Sequence, residues 1–331
     1  MDLFLPLLKI MENFHYNNYI MKMRRKKLLE LDKINESVVI CSVIKNIAKF
    51  LPYSLKLLQE TGKLFDKYHI VIYENNSTDS TKQILEQNKI DNCSIIMENI
   101  PYDVIKKDSK IWSLKGNSRD EGHPCRIEQI SKARNKVVDI IRKDFFKNFT
   151  YVIWVDIDTI FWDLLGIHYV FTNKTKWDIV YGSSNRYYDY YALRTKNRYG
   201  PEVLGNFWDN NKRHFFPNNF QEVDSAFNGI GIYKKEIFDK LYFDFIVNED
   251  VKKFYRSKMN EEYYQKIKNV IENNRKFHQK GYKDKNSNIH YKINSGYDNV
   301  VICEHVCLNF AAKNLGYRIF VSNKLKYKKV W

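Results

Sequence analysis

The chain is short of cysteine, of long apolar runs and of acidic side chains, and each shortage narrows what it can be. Its five cysteines, Cys41, Cys93, Cys125, Cys303 and Cys307, are odd in number and scattered, which does not describe a disulfide framework. Cys303 and Cys307 stand four apart with His305 between them, but the paired spacings of a zinc site are missing. Ordinary thiols in the core of a helix are expected there. The opening Met-Asp-Leu-Phe-Leu-Pro-Leu-Leu holds a short apolar stretch, well below the roughly 18 residues of a membrane span. It also lacks a basic leading region and a small-residue cleavage site. Neither a signal peptide nor an anchor is expected, and a cytoplasmic location is. The basic cluster Lys22, Arg24, Arg25, Lys26 and Lys27 suits peripheral contact with an anionic membrane surface. Glycan acceptor sequons begin at Asn75 and Asn76, inside a loop read below as nucleotide-binding. A glycan there would block it, which favours a compartment without N-glycosylation.

Asp and Glu total 39 against 55 Lys and Arg, a net charge of +16. Such a balance points to a nucleic acid, an anionic membrane or a phosphate-bearing substrate. No nucleic-acid-binding motif accompanies the charge, so no nucleic-acid partner is expected. What is abundant is core material: 44% of the 331 residues are hydrophobic and 15% aromatic, unlike a disordered chain. Length allows one large or two small domains. The pattern divides into a basic extension over residues 1–36 and a single domain over 37–331. A highly charged insertion at about 248–295 carries a predicted helix, roughly Glu261 to Gln279.

From Val38 the chain alternates short β-branched runs with helical periodicity. Val38–Cys41, His69–Tyr73, Ser94–Met97 and Tyr151–Val155 read as buried strands. Helices are expected after Phe50, over Ser80–Gln87, over Ile127–Phe146 and over Val300–Leu315, the last closed by Gly316. Ile179–Tyr181, Gly229–Tyr233 and Tyr317–Val321 read as later strands. Strand–helix alternation with short connections predicts an α/β fold with a mostly parallel sheet. Ligands of such sheets bind beyond the carboxyl ends of the strands.

Three constellations fall at those ends. Asp156 and Asp158 close the most apolar strand. Alternate residues of an extended segment point the same way, so both carboxylates are expected to face one site. Two like charges are costly together unless a cation lies between them, and Mg²⁺ or Mn²⁺ binds through one or two carboxylates plus phosphate oxygens. Glu74 ends the second strand, where an acidic residue accepts hydrogen bonds from a ribose or base. Ser77, Thr78 and Asp79 follow it and serve equally well as helix caps or as ligand contacts. Arg126, Glu128 and Arg134 lie on the helix preceding the Asp pair. The two arginines share one side, and either suits pairing with a diphosphate or a neighbouring carboxylate.

Taken in order, five stretches resemble the capsule-associated α-1,3-mannosyltransferase family of GT-A-fold glycosyltransferases. They are Ile72–Thr81, Arg126–Asn135, the Asp156-Ile157-Asp158 strand end, Tyr187–Arg194 and Val223–Gly229, with a weaker sixth at Cys303–Leu308. The sequence departs from the family in having Asp156-Ile157-Asp158 for an Asn-Asp pair and Phe227 for a tryptophan. The resemblance implies a GT-A domain with a mixed, mostly parallel sheet. It also implies transfer of a sugar, commonly mannose from GDP-mannose, with retention, to a glycan, protein or lipid acceptor. UDP-sugars are the alternative donors. Carried over by position, Glu74 contacts the nucleoside, Asp156 the ribose or metal, and Asp158 the metal. Asp189 and Arg194 lie near the donor sugar or diphosphate, and Asp224, Asn228 and Gly229 line the sugar and acceptor pocket. Glu304 and His305 stand where such enzymes place a base or a metal ligand, although Glu304 also suits a helix N-terminus as a charge complementing the dipole.

Overall fold

The computed structural model describes residues 30–88, 90–109, 124–184, 189, 192–195, 216–258, 282–283, 289–290 and 302–329. The basic cluster near the start and the helix expected over 261–279 lie outside them. Strands are β1 (Ile34–Ile44), β2 (Phe65–Asn75), β3 (Cys93–Glu98), β4 (Tyr151–Val155), β5 (Thr159–Trp162), β6 (Ile179–Ser183), β7 (Gln221–Glu222), β8 (Ile230–Lys234), β9 (Tyr282–Lys283), β10 (Ile289–His290) and β11 (Ile319–Lys329). Helices are α1 (Leu51–Gly62), α2 (Thr81–Gln87), α3 (Tyr102–Asp108), α4 (Pro124–Ile141), α5 (Leu164–Phe171), α6 (Glu236–Lys240), α7 (Glu249–Lys258) and α8 (Glu304–Asn314). Two expectations shift. β1 starts at Ile34, inside the segment read as an extension, and α7 opens the charged insertion. No helix among the described residues is long and apolar enough to cross a membrane.

One mixed sheet runs β3-β2-β1-β4-β8-β6-β11-β5, with β7 paired to β11. β3, β2, β1 and β4 are mutually parallel. β8 lies antiparallel between β4 and β6, and β11 runs parallel to β6. Helices cover both faces, so the strands are apolar on both sides. Along β1, Val38 and Ile40 join one core with Leu51, Leu55 and Leu58 of α1, while Val39 and Cys41 join the other with Val137 and Ile141 of α4. This is the alternation of a strand buried twice.

Inverting β8 has a consequence for function. A parallel strand would start at the far edge of the sheet, whereas β8 starts where β4 ends, Ile230 opposite Val155. The residues before β8, Asn228 and Gly229, are thereby delivered to the carboxyl end of β4. β11 is longer than its apolar start suggests. It pairs with β6 through Val321, shifts register, and then runs antiparallel to β5 with Tyr327 opposite Trp162.

α8 ends as expected at Gly316, which has φ +87°. The Gly316 amide donates to the Lys313 carbonyl at 2.9 Å and the Tyr317 amide to Ala312 at 3.1 Å, a paired closure that needs a left-handed residue. A Cβ at Gly316 would meet nothing within 4 Å. The cost of Gly316→Ala is therefore conformational alone, about 1 kcal/mol. Gly229, at φ +83°, differs, because a Cβ there would lie 2.2 Å from the Tyr327 ring. Denaturant titrations of Gly316→Ala and Gly229→Ala should show a small loss for the first and a much larger one for the second.

Candidate active site

Three strand ends are laced together by side chains that imitate backbone. Asn46 and Asn76 both adopt left-handed φ, 53° and 57°, which asparagine tolerates. The Asn46 side-chain oxygen accepts the Thr78 amide at 2.7 Å, and the Asn46 amide donates to the Ser77 hydroxyl at 2.9 Å. Asn76 exchanges hydrogen bonds with the backbone of Ile100, beyond β3. Asp79 accepts the Ala48 amide on one oxygen and the Thr81 amide on the other, each at 3.0 Å. Partial burial opposes its charge, but these donors and the Thr81 hydroxyl hold its carboxyl below the ordinary range. Ser77, Thr78 and Asp79 thus join loops, and Asp79, expected at the cofactor, acts locally as a staple. Glu74 is fully buried. Its Oε1 accepts the Ser77 amide at 2.7 Å, while Oε2 lies 3.7 Å from Lys82 Nζ and accepts no hydrogen bond among the described residues.

At the end of β4, Ile157 turns inward with 1% exposure, and Asp156 and Asp158 stay partly exposed on either side of it. The Asp156 amide donates to the Gly229 carbonyl at 2.8 Å. The Tyr327 hydroxyl stands 3.0 Å from the Asp156 carbonyl oxygen and 3.3 Å from Asp158 Oδ1. Burial, then the Asp156 and Asp158 carboxylates, push the phenol far above its usual pKa, so it remains a donor. Tyr327 thus meets Asp156 through its backbone and Asp158 through its carboxylate, while the Asp156 carboxylate faces Arg134.

Arg134, from the middle of α4, is almost wholly buried beside them. Its Nη2 lies 3.5 Å from Asp156 Oδ1 and its Nε 3.4 Å from Glu304 Oε1. Trp154, Phe227 and Phe243 present their rings at 5.3, 5.1 and 5.4 Å from the guanidinium carbon, within cation–π range. Arg134 therefore holds carboxylates, one of the two roles open to it. Arg126, two turns earlier and half-buried, makes no ion pair with a described residue.

His305 does not fill the place expected of it. Among the described residues no three His, Cys, Asp or Glu side chains come together as a metal-holding group. The imidazole stacks on Phe227 at 3.7 Å between centroids, meets the Phe243 edge at 5.6 Å, and is 1% exposed. Burial, reinforced by Arg134, lowers its pKa well below the ordinary value, so it is a neutral packing ring. Glu304 does open α8, next to the buried thiol of Cys303. Cys307 donates to the Ile246 carbonyl at 3.4 Å; both cysteines are core thiols, as expected.

The remaining expected residues gather around the segment before β8. The Arg194 amide donates to the Ser225 carbonyl at 2.8 Å, and the Asp224 amide donates to the Arg194 carbonyl at 3.0 Å. Arg194 is 1% exposed, with Nη1 donating to the Leu193 carbonyl at 2.7 Å. Its guanidinium is thus buried beside its own backbone. Asp189 Oδ1 accepts the Ala192 amide at 3.2 Å, shaping the turn before it. Asp224 lies 3.8 Å from Lys313 Nζ of α8, and the Asn228 amide group donates to the Ser184 hydroxyl at 3.2 Å. Asn309 locks α8 to this segment, donating to the Ser225 hydroxyl at 2.9 Å and accepting from the Tyr181 hydroxyl at 2.5 Å.

Sequence reasoning missed Tyr327, Phe243, Asn309 and Lys313. Tyr327 sits among lysines, and its only signal is that Leu325 and Tyr327 continue the alternation of β11 beyond Val321. Phe243 and Asn309 carry no motif at all.

The mixed, mostly parallel sheet flanked by helices has the architecture of a GT-A glycosyltransferase domain. The model of a family described as cryptococcal mannosyltransferase 1 matches residues 37–284, most of the chain, and the chain belongs to that family. No curated protein matches it. Among solved structures it is similar to TarS of S. aureus, with 18% identity, a TM-score of 0.35, and coverage of 63% of this chain and 50% of that one. It is also similar to the mannosyltransferase PcManGT of Pyrobaculum calidifontis in complex with GDP-Man and Mn²⁺, with 13% identity, a TM-score of 0.35, and coverage of 68% and 55%. The chain spans about half the length of these solved structures.

The buried imidazole gives a pH signature. Below about pH 6.5 an unfolded His305 binds a proton that the folded one refuses, so stability falls as pH drops through that value. Urea titrations at pH 7.5 and 5.5 should show His305→Phe losing less stability between the two than the parent. Arg134→Ala, which leaves a buried Glu304 carboxylate unpaired, should cost about 3 kcal/mol at neutral pH in the same assay.

Proposed function

We propose that the chain is a metal-dependent glycosyltransferase that takes a sugar from a nucleotide-sugar donor, GDP-mannose before UDP-sugars, and hands it to a glycan, protein or lipid acceptor with retention. The observation that carries this is the Asp156-Ile157-Asp158 turn, with the apolar residue inward and both carboxylates at the open end of β4. The donor set is all oxygen and partly open, which suits Mn²⁺ or Mg²⁺ sharing its coordination with phosphate oxygens. Asp158 and Asp156 would hold the ion, which when bound would neutralise charge on the departing diphosphate. The mannose preference and the retaining outcome rest on the family.

The chain's own residues divide the rest of the work. Glu74 offers a buried carboxylate oxygen at the end of β2, and such an oxygen favours a ligand that donates to it. A ribose hydroxyl or a base N–H supplies that donor. Asn228 and Gly229 are fixed beside Asp156 by the inversion of β8 and line the sugar side. Asp224 is the acidic group on the sugar and acceptor side, and Asp189 lies toward the donor sugar. Glu304, the expected base, pairs with Arg134 and through it steadies Asp156 from behind.

The test is sugar transfer from GDP-mannose with Mn²⁺, compared with Asp158→Ala. The variant should fold normally by circular dichroism and lose about a hundredfold or more of its turnover. Undiminished transfer by Asp158→Ala, or by the parent in excess chelator, would overturn the reading. In a thermal-shift comparison GDP-mannose with Mn²⁺ should raise the melting temperature more than UDP-sugars do, because a ligand that binds only the folded state stabilises it.

A further inference from the structure

The last strand reaches the acidic pair from a part of the chain beyond the family match, which ends at residue 284. β11 enters the sheet beside β6, shifts register, and continues antiparallel to β5. That continuation places Tyr327 against the turn that carries both aspartates. Its ring packs where a Cβ of Gly229 would otherwise stand, and the residue is 1% exposed. Its hydroxyl reaches the Asp156 carbonyl oxygen at 3.0 Å and Asp158 Oδ1 at 3.3 Å.

This turn is held on every side. Asp156 is fixed through its amide by Gly229 and through its carbonyl by Tyr327. Thr159, which follows Asp158 directly, begins β5 and pairs with Lys329 of β11. One feature goes beyond holding the backbone: the phenol also touches a side-chain oxygen of Asp158. A carboxylate that binds a cation through one oxygen is oriented by a hydrogen bond at the other, and loss of such an outer partner typically weakens metal affinity by about 10- to 100-fold.

We propose that Tyr327 is a positioning residue for divalent-cation binding: it orients the Asp158 carboxylate, and β11 thereby sets the affinity of the site for Mn²⁺ or Mg²⁺. The proposal rests on the metal reading of the Asp156–Asp158 pair. A tyrosine that only filled the space over Gly229 or tied down the Asp156 carbonyl would leave cation affinity unchanged on replacement by phenylalanine, whereas a hydroxyl that orients Asp158 would not.

The experiment is Mn²⁺ titration followed by electron paramagnetic resonance, on the full chain with GDP present, for the parent, Tyr327→Phe and Asp158→Ala. Readings are taken at a temperature where circular dichroism shows all three folded. The parent should bind Mn²⁺ and Asp158→Ala should lose that binding. Tyr327→Phe should bind about tenfold or more weakly. In transfer assays its Mn²⁺ requirement should rise while kcat at saturating Mn²⁺ is retained. Equal affinity in the parent and Tyr327→Phe, with Asp158→Ala still deficient, would sink this inference and leave the metal reading standing. No Mn²⁺ binding by the parent would sink the metal reading and this inference with it.

Discussion

The junction of α4, β4 and α8 at the open end of the sheet depends on one buried cation. Arg134 brings a guanidinium into a place where its desolvation would cost several kcal/mol if unanswered. The protein answers it from different parts of the chain: Asp156 from the end of β4, Glu304 from the start of α8, and the faces of Trp154, Phe227 and Phe243. Removing Arg134 strands the buried Glu304 carboxylate, and removing one of the rings leaves a cavity in a water-poor interior. The ion pairs therefore fix the relative placement of α4, β4 and α8 more than they add net stability. His305 belongs to the same arrangement. A charged imidazole beside Arg134 would repel it, and the stacked neutral ring on Phe227 fills space without adding charge.

The sheet supplies the second constraint. Four parallel strands bring the ends of β1, β2, β3 and β4 to one edge, and asparagine and aspartate side chains lace the loops there into one surface. Antiparallel β8 then introduces its preceding residues at that same edge, and the register shift of β11 lets a late strand reach it too. Parallel strands alone would give a nucleotide-binding rim. The inverted β8 and the late end of β11 add a second wall, and a site for two reactants needs both.

Much of this was legible in the sequence, for a physical reason. Doubly buried strands are nearly continuous apolar runs, so β1, β2 and β4 stand out, and acidic residues just past such runs have few structural excuses. Glu74, Asp156 and Asp158 were visible on that basis. Arg134 was visible as a charge on an amphipathic helix, with its partner left open between a diphosphate and a carboxylate. What could not be read was direction and long-range contact. Nothing in Ile230–Lys234 says that the strand is antiparallel, and nothing in a lysine-rich tail says that Tyr327 crosses the sheet to meet Asp158. His305 was placed at the metal on the family resemblance alone. The opposing signals, Phe227 and Phe243, lie more than sixty residues earlier and become its neighbours only in the fold.

The pairing of one guanidinium with two carboxylates also bears on how the site can change state. Asp156 is shared between a buried arginine and an exposed turn, and its side chain is 30% accessible. On the metal reading proposed above, a cation arriving on the open side would draw on that carboxylate and weaken its hold on Arg134. In a simple ion pair this would strand a buried charge, at a cost of about 3–5 kcal/mol. Here Glu304, with a side chain only 9% accessible, remains on the other edge of the guanidinium, so Arg134 keeps a counter-charge whether or not Asp156 is engaged elsewhere. The second carboxylate is thus what allows the first to be used. An acid–arginine–acid chain that looks redundant as a stabilising device would, on that reading, support an aspartate able to change partners.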